Sequence, residues 1–137
     1  MARPVQDPRL IGEIGRAISG EYNAIQCYAR LAKAAPDAET RKQILEIRQD
    51  EVRHYQVFMG IYHRLTGGAV PPITPEPCPR DFREGLRAAF KDEQETVDFY
   101  LSVGDRARDP SIRRAFVRAA QDEQNHAVWF LYFLSGK

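Results

Sequence analysis

The chain repeats itself without a gap. Displacing the sequence by 72 residues places Ala17 on Ala89, Glu21 on Glu93, Tyr28 on Tyr100, Asp37 on Asp109, Arg41 on Arg113 and Phe58 on Phe130. The same displacement superimposes Gln49-Asp50-Glu51 on Gln121-Asp122-Glu123 and His54 on His126. Whatever the first half folds into, the second half folds into again. A length of 137 residues fits one domain, able to bury a core without disulfide support, so the two copies are expected to share that core.

Each copy reads as a helical hairpin. Asp7-Pro8 supplies a cap and a first-turn proline, and apolar residues recur at Ile14, Ile18, Ile25 and Ala32 with helical spacing. Ala35-Pro36-Asp37 breaks this helix, and Asp37 caps a second that runs to Leu65 and stops at Thr66-Gly67-Gly68. A third helix is expected from near Asp81 to around Arg108, and a fourth from Asp109-Pro110 to about Ser135-Gly136. This gives one domain over 1–137, with hairpin 1 at about 8–66, a connection at 67–79 and hairpin 2 at about 80–135. The 13 connecting residues, rich in proline, reach roughly 43 Å when extended, and helices of about 27 residues are roughly 40 Å long. The expected architecture is therefore an all-α four-helix bundle whose hairpins are joined by a long crossover, rather than a short-looped up-down-up-down bundle.

Ionisable residues interrupt the apolar stripes. The inward faces read Ile14, Ile18, Glu21, Ile25, Tyr28, Ala32; then Ile44, Ile47, Glu51, His54, Phe58, Ile61, Leu65. The second half gives Leu86, Phe90, Glu93, Val97, Tyr100, Gly104; then Phe116, Ala119, Glu123, His126, Phe130, Phe133. Counted from the break after Ala35, Glu21 lies about 14.5 residues back and Glu51 about 15.5 forward, a difference in level of about 1.5 Å. Four carboxylates and two imidazoles should meet in one layer. Burying four unpaired carboxylates costs several kcal/mol each. Two divalent cations would balance the four negative charges, and Glu-x-x-His at i and i+3 offers an oxygen and a nitrogen from one helical face. Zinc suits the set less, because its structural sites use four ligands and favour cysteine and histidine.

These motifs carry a family resemblance. Glu21-Tyr22-Asn23-Ala24-Ile25-Gln26-Cys27-Tyr28 with Asp50-Glu51-Val52-Arg53-His54, and Glu93-Gln94-Glu95-Thr96-Val97-Asp98-Phe99-Tyr100 with Asp122-Glu123-Gln124-Asn125-His126, resemble the ferritin-like superfamily. The similarity is to small rubrerythrin-related proteins and spans nearly the whole chain. It implies a ferritin-like bundle holding two iron ions, with manganese possible. Glu21, His54, Glu93 and His126 would be terminal ligands, and Glu51 and Glu123 would bridge. Asp50 and Asp122 would orient a histidine through its free ring nitrogen, and Tyr28 and Tyr100 would hydrogen-bond a ligand carboxylate. The pattern departs from peroxidase-type rubrerythrins at Thr96, where a further glutamate is typical, so the site resembles a symmetric ferroxidase centre.

The function implied is a di-iron oxidoreductase acting on dioxygen or hydrogen peroxide, with an electron donor still to be identified. The alternatives are a ferroxidase or iron-handling protein, a hydroxylase or manganese catalase on the same scaffold, and a metal-stabilised helical module without catalysis. Twenty basic against nineteen acidic residues give a formal charge of +1, which points away from nucleic acid. The longest apolar run, Ala127 to Leu134, is eight residues, far below the roughly 20 that span a membrane, and Met1 to Asp7 lacks a secretory apolar run. Cys27 and Cys78 form no Cys-x-x-Cys pair, so a rubredoxin-like or zinc-ribbon module is not expected. Cys27 is read as a small buried residue, Cys78 as a loop residue without redox duty, and the setting as reduced and cytoplasmic. Asp92 and Glu95 fall on a solvated face, and His63 on a helix end. The run Val128-Trp129-Phe130-Leu131-Tyr132-Phe133-Leu134 is apolar all round, which predicts a homodimer interface or else cover from the crossover residues Val70 and Ile73.

Overall fold

An aspartate starts every helix. The computed structural model describes residues 7–136, and the reading of the extreme amino terminus, Met1–Gln6, lies outside them. Asp7 accepts from the Leu10 amide at 3.1 Å and opens α1, Pro8–Lys33. Asp37 accepts from Thr40 at 2.7 Å and opens α2, Ala38–Thr66. Asp81 accepts from Glu84 at 3.0 Å ahead of α3, Phe82–Arg106, and Asp109 from Ser111 at 2.8 Å ahead of α4, Pro110–Ser135. Each side chain satisfies an amide that the first helical turn leaves without a partner. α2 stops at Gly67 and Gly68, whose φ values of +70° and +98° lie where a side chain would be strained. α3 ends two residues before the expected Arg108. Ala107 turns extended there and is buried, and Pro110 holds Asp109 out of the helical region.

The helices pair as α1 with α2 and α3 with α4, and the two hairpins meet along α1/α3 and α2/α4. One apolar cluster gathers Ile14 and Ile18, Phe58 and Tyr62, Tyr100 and Val103, Ile112 and Phe116. The other gathers Tyr28 and Leu31, Ile44 and Ile47, Leu86 and Ala89, and Phe130. The end of α2 thus shares one cluster with the end of α3, while the start of α3 lies in the other. The segment between them must traverse the bundle, as the length argument requires, and this is the ferritin-like arrangement.

Six inward positions differ from expectation. Ile25, Ile61, Leu65, Phe90, Val97 and Phe133 are only half-buried, while Tyr62 joins the core. The inward sector of α1 steps seven residues from Glu21 to Tyr28, leaving Ala24 and Ile25 on its flanks. In α2 the residue four after Phe58, Tyr62, faces the core in place of the residue three after it, Ile61, both being neighbours of Phe58 on the helix surface.

The crossover descends α1 in a regular register. Thr74 donates its amide to Ser19 Oγ and accepts from Asn23 Nδ2, both at 3.0 Å, and the Glu76 amide donates to Asn23 Oδ1 at 3.0 Å. Two extended residues cover about 7 Å and four helical residues about 6 Å, so the strap advances one helical turn per two residues. The next step brings Cys78 to Cys27, and the two form a disulfide with Cα atoms 5.3 Å apart. This corrects the reading of two unconnected thiols and removes the argument for a reduced compartment made from the cysteine count. A separation of 51 residues offers no local motif, and the pairing follows only from the path of the strap. The strap also corrects the reading that it covers α4. Val70 is 80% exposed, and Val128, Leu131 and Tyr132 remain 61%, 52% and 66% exposed. Among the described residues, no helix is long and apolar enough to cross a membrane.

Candidate metal centre

Between the two apolar clusters lies a charged layer. Glu21, Glu51, His54, Glu93, Glu123 and His126 are all at most 6% exposed. Their helices bring them to one level because each hairpin folds about a short turn midway between its two glutamates. Glu21, Glu51, His54 and Glu123 offer atoms within 4.8 Å of one another, as do Glu51, Glu93, Glu123 and His126. Glu51 and Glu123 belong to both groups. The layer therefore has two halves related by the repeat, joined by two shared carboxylates.

The imidazoles are aimed inward. His54 Nδ1 lies 3.1–3.3 Å from oxygens of Glu21, Glu51 and Glu123. His126 Nδ1 lies 3.1 Å from Glu93 and 3.5 Å from both Glu51 and Glu123. The opposite ring nitrogens are engaged across the bundle, His54 Nε2 with Asp122 at 2.8 Å and His126 Nε2 with Asp50 at 2.7 Å. A carboxylate at Nε2 fixes the proton there and leaves the Nδ1 lone pair for the centre. Tyr28 donates to Glu93 Oε1 and Tyr100 to Glu21 Oε2, both at 2.6 Å. All four supporting contacts run from one hairpin to the other. The spacing along the chain pointed to these residue types, but not to the exchange between halves.

Burial and mutual repulsion set the protonation of the layer. Burial, with the Glu123 charge next, pushes Glu21 up to about 7 and Glu93 up to about 8, against the opposing pull of His54 and His126 respectively. Burial and the same neighbour raise Glu51 well above the carboxylate range, while hydrogen bonds with Glu51, His126 and His54 overcome burial and hold Glu123 below it. Glu51 and Glu123 thus hold one proton between them. Burial opposes a charged imidazole, yet hydrogen bonds with the glutamates carry His54 up to about 11 and His126 to about 9. Protons stand in here for positive charge. Even so, Glu21 Oε1, Glu51 Oε1, His54 Nδ1 and Glu123 Oε1, though crowded together, are buried without a hydrogen bond of good geometry. Buried ligand atoms that converge on shared points, with hard oxygen and imidazole donors in two overlapping sets, fit a pair of divalent cations.

A cavity of about 500 Å³ reaches this layer from between α1, α3 and the crossover. Its floor includes Glu21, Glu51, Glu93 and Glu123, its wall Cys27, Cys78 and Thr96, and its rim Glu76, Asp92 and Glu95. Asp92 and Glu95 are exposed as expected, yet they stand at the entrance. His63 is exposed at the end of α2 and serves its cap through its carbonyl. Around the cavity, spacing missed the disulfide and the bonds of Ser19 and Asn23 that hold the strap against α1.

The comparisons agree with this geometry. The rubrerythrin family model matches residues 84–137. YhjR, an uncharacterized protein of Bacillus subtilis (strain 168), is 54% identical over 129 residues, covering 94% of this chain and 89% of YhjR. A hypothetical protein from Pyrococcus furiosus has a similar fold, with a TM-score of 0.83 at 20% identity over 91% of this chain and 87% of that one. Rhodobacter capsulatus bacterioferritin, solved with a metal-free dinuclear site and haem iron, gives a TM-score of 0.75 at 21% identity over 96% and 87%.

Proposed function

The chain belongs to the rubrerythrin-related ferritin-like proteins, in one family with YhjR, and on that premise we propose that it is a di-iron oxidoreductase reducing hydrogen peroxide or dioxygen. The observation that carries this reading is the set of buried, convergent ligand atoms of Glu21, Glu51, His54 and Glu123 at the end of an open cavity. Glu21, His54, Glu93 and His126 would bind at the ends of the pair and Glu51 and Glu123 between them. Bound there, the two metals, iron or alternatively manganese, would supply two electrons to the oxidant. The chain's own residues do the rest. Tyr28 and Tyr100 hold Glu93 and Glu21 in place, Asp50 and Asp122 fix the imidazole protons at Nε2, and the cavity admits a small oxidant. Stopped-flow mixing of the ferrous protein with peroxide or dioxygen tests the reading. Oxidation no faster than that of free ferrous iron overturns it, and Glu21→Ala with Glu93→Ala is expected to abolish the reaction.

Ferrous iron as substrate is the second reading. It is favoured by Thr96, which leaves the centre symmetric, and by the acidic rim of Glu76, Asp92 and Glu95. Mineral formation under iron loading distinguishes it from reduction of an external oxidant.

Two further outcomes follow. Asp122→Asn removes the acceptor at His54 Nε2 and is expected to weaken metal binding about 10–100-fold without unfolding the protein, measured by competition with a chelator. The exposed apolar face of α4 predicts a homodimer, with Val128, Leu131 and Tyr132 at its centre. Sedimentation as a monomer at micromolar concentration removes that expectation.

A further inference from the structure

We propose that Cys27 and Cys78 are a reversible dithiol–disulfide couple that supplies the electrons spent at the carboxylate–histidine layer. The proposal rests on the reading of that layer as a peroxide-reducing centre.

Three features place the couple in this role. Both cysteines line the same cavity as Glu21, Glu51, Glu93 and Glu123, so the sulfurs and the centre face one shared space. Cys27 immediately precedes Tyr28, whose hydroxyl donates to Glu93 at 2.6 Å. A covalent path and one short hydrogen bond therefore connect the sulfur to the layer. The third feature is the register of the strap. The hydrogen bonds of Ser19 and Asn23 with Thr74 and Glu76 hold the strap on α1 independently of the disulfide. Pro77 and Pro79, on either side of Cys78, stiffen it further. When the S–S bond opens, Cys78 remains beside Cys27, ready to close again.

The chemistry balances. The two S–H bonds of Cys27 and Cys78 break and one S–S bond forms, releasing two protons and two electrons. One hydrogen peroxide takes both, its O–O bond breaks, and two waters leave. An external dithiol then restores the pair. Its thiolate attacks one sulfur to give a mixed disulfide, its second thiol displaces the protein thiol, and the reductant departs as a disulfide. The couple thereby provides two electrons per cycle from a class of donor that needs no docking site for another redox protein.

The full chain is reduced with dithiothreitol, desalted without oxygen, and prepared iron-loaded and metal-free. One equivalent of hydrogen peroxide is added, thiols are alkylated at intervals, and intact mass counts them while absorbance follows the iron. In the iron-loaded protein both thiols should disappear together as an unalkylated disulfide, with the iron ferrous at the end. The rate should exceed that of the metal-free protein by about 100-fold or more, the gain expected from holding the reactants in place. With Cys78→Ser the iron should be oxidised and stay so. Equal thiol loss with and without iron overturns the proposal. Rapid iron oxidation with both thiols intact also overturns it, while leaving the peroxide-reducing centre standing. Iron oxidation in Cys78→Ser no faster than in free solution overturns the reading of the centre itself, and the proposal with it.

Discussion

Glu51→Gln is expected to stabilise the metal-free protein and to destroy its response to metal. In the metal-free layer, burial and the charges of Glu123, Glu21 and Glu93 all oppose ionisation of Glu51. Glutamine keeps the shape, offers a donor to Glu123, and removes a group that must otherwise hold a proton or suffer repulsion. A gain of about 1–3 kcal/mol is expected, or about 3–10 °C in Tm for a chain of this size. Metal reverses the sign. Glu51 belongs to both potential ligand groups, so its loss takes an oxygen donor from each. Ligand at about a thousandfold over its Kd stabilises a folded protein by about 4 kcal/mol per site, and the variant should forfeit most of this at both. Calorimetry with and without ferrous or manganous ion, together with elemental analysis, reads both effects. Glu51→Gln that lowers the metal-free Tm, or still takes up two ions per chain, contradicts the description of the layer.

The second large effect is a pH dependence that metal inverts. Glu21 and Glu93 keep their protons in the folded state up to about 7 and 8, and Glu51 keeps its own higher still, whereas unfolded carboxyls release theirs near 4.5. Their contribution is fully present below pH 4.5 and is lost as pH rises through the folded values. His54 and His126, raised to about 11 and 9 from 6.5, act in the same direction, with stability present below 6.5 and lost through 9 to 11. Glu123, held low, opposes them only on the acid side, where its contribution disappears as pH falls below the ordinary carboxylate value. The metal-free protein should therefore lose several kcal/mol between pH 5 and pH 10, at up to about 1.4 kcal/mol per pH unit per proton. Urea unfolding in the presence of a chelator measures it, and a flat or rising profile contradicts it. With a divalent metal present the slope should flatten or reverse, because binding requires these same groups deprotonated.

Much of this architecture can be read from the chain because local signals and global fold agree. Asp7-Pro8 and Asp109-Pro110 mark helix starts by chemistry confined to one turn, and the gapless 72-residue repeat carries the level of Glu21 and Glu51 onto Glu93 and Glu123. What escaped depends on the path of the strap in three dimensions. Cys27 meets Cys78 only because an extended segment advances down α1 at two residues per turn, and no spacing within the sequence encodes that path. For the same reason the strap's distance from Val128 and Tyr132 was not evident. Ile25 shows a smaller limit: the inward sector of α1 runs from Glu21 to Tyr28 in register, and period alone does not tell how narrow that sector is.

The exchange of contacts across the layer has a historical consequence. Tyr28 braces Glu93 and Asp50 braces His126, while Tyr100 and Asp122 return the service to Glu21 and His54. In an ancestor one hairpin long, these would have been contacts between two identical molecules, and a single mutation would have struck both ends of the symmetric pair. Fusion into one polypeptide separated the two copies for selection. Each half can now tune the ligands of its sibling independently, which gives a symmetric scaffold a route to two unequal metal positions.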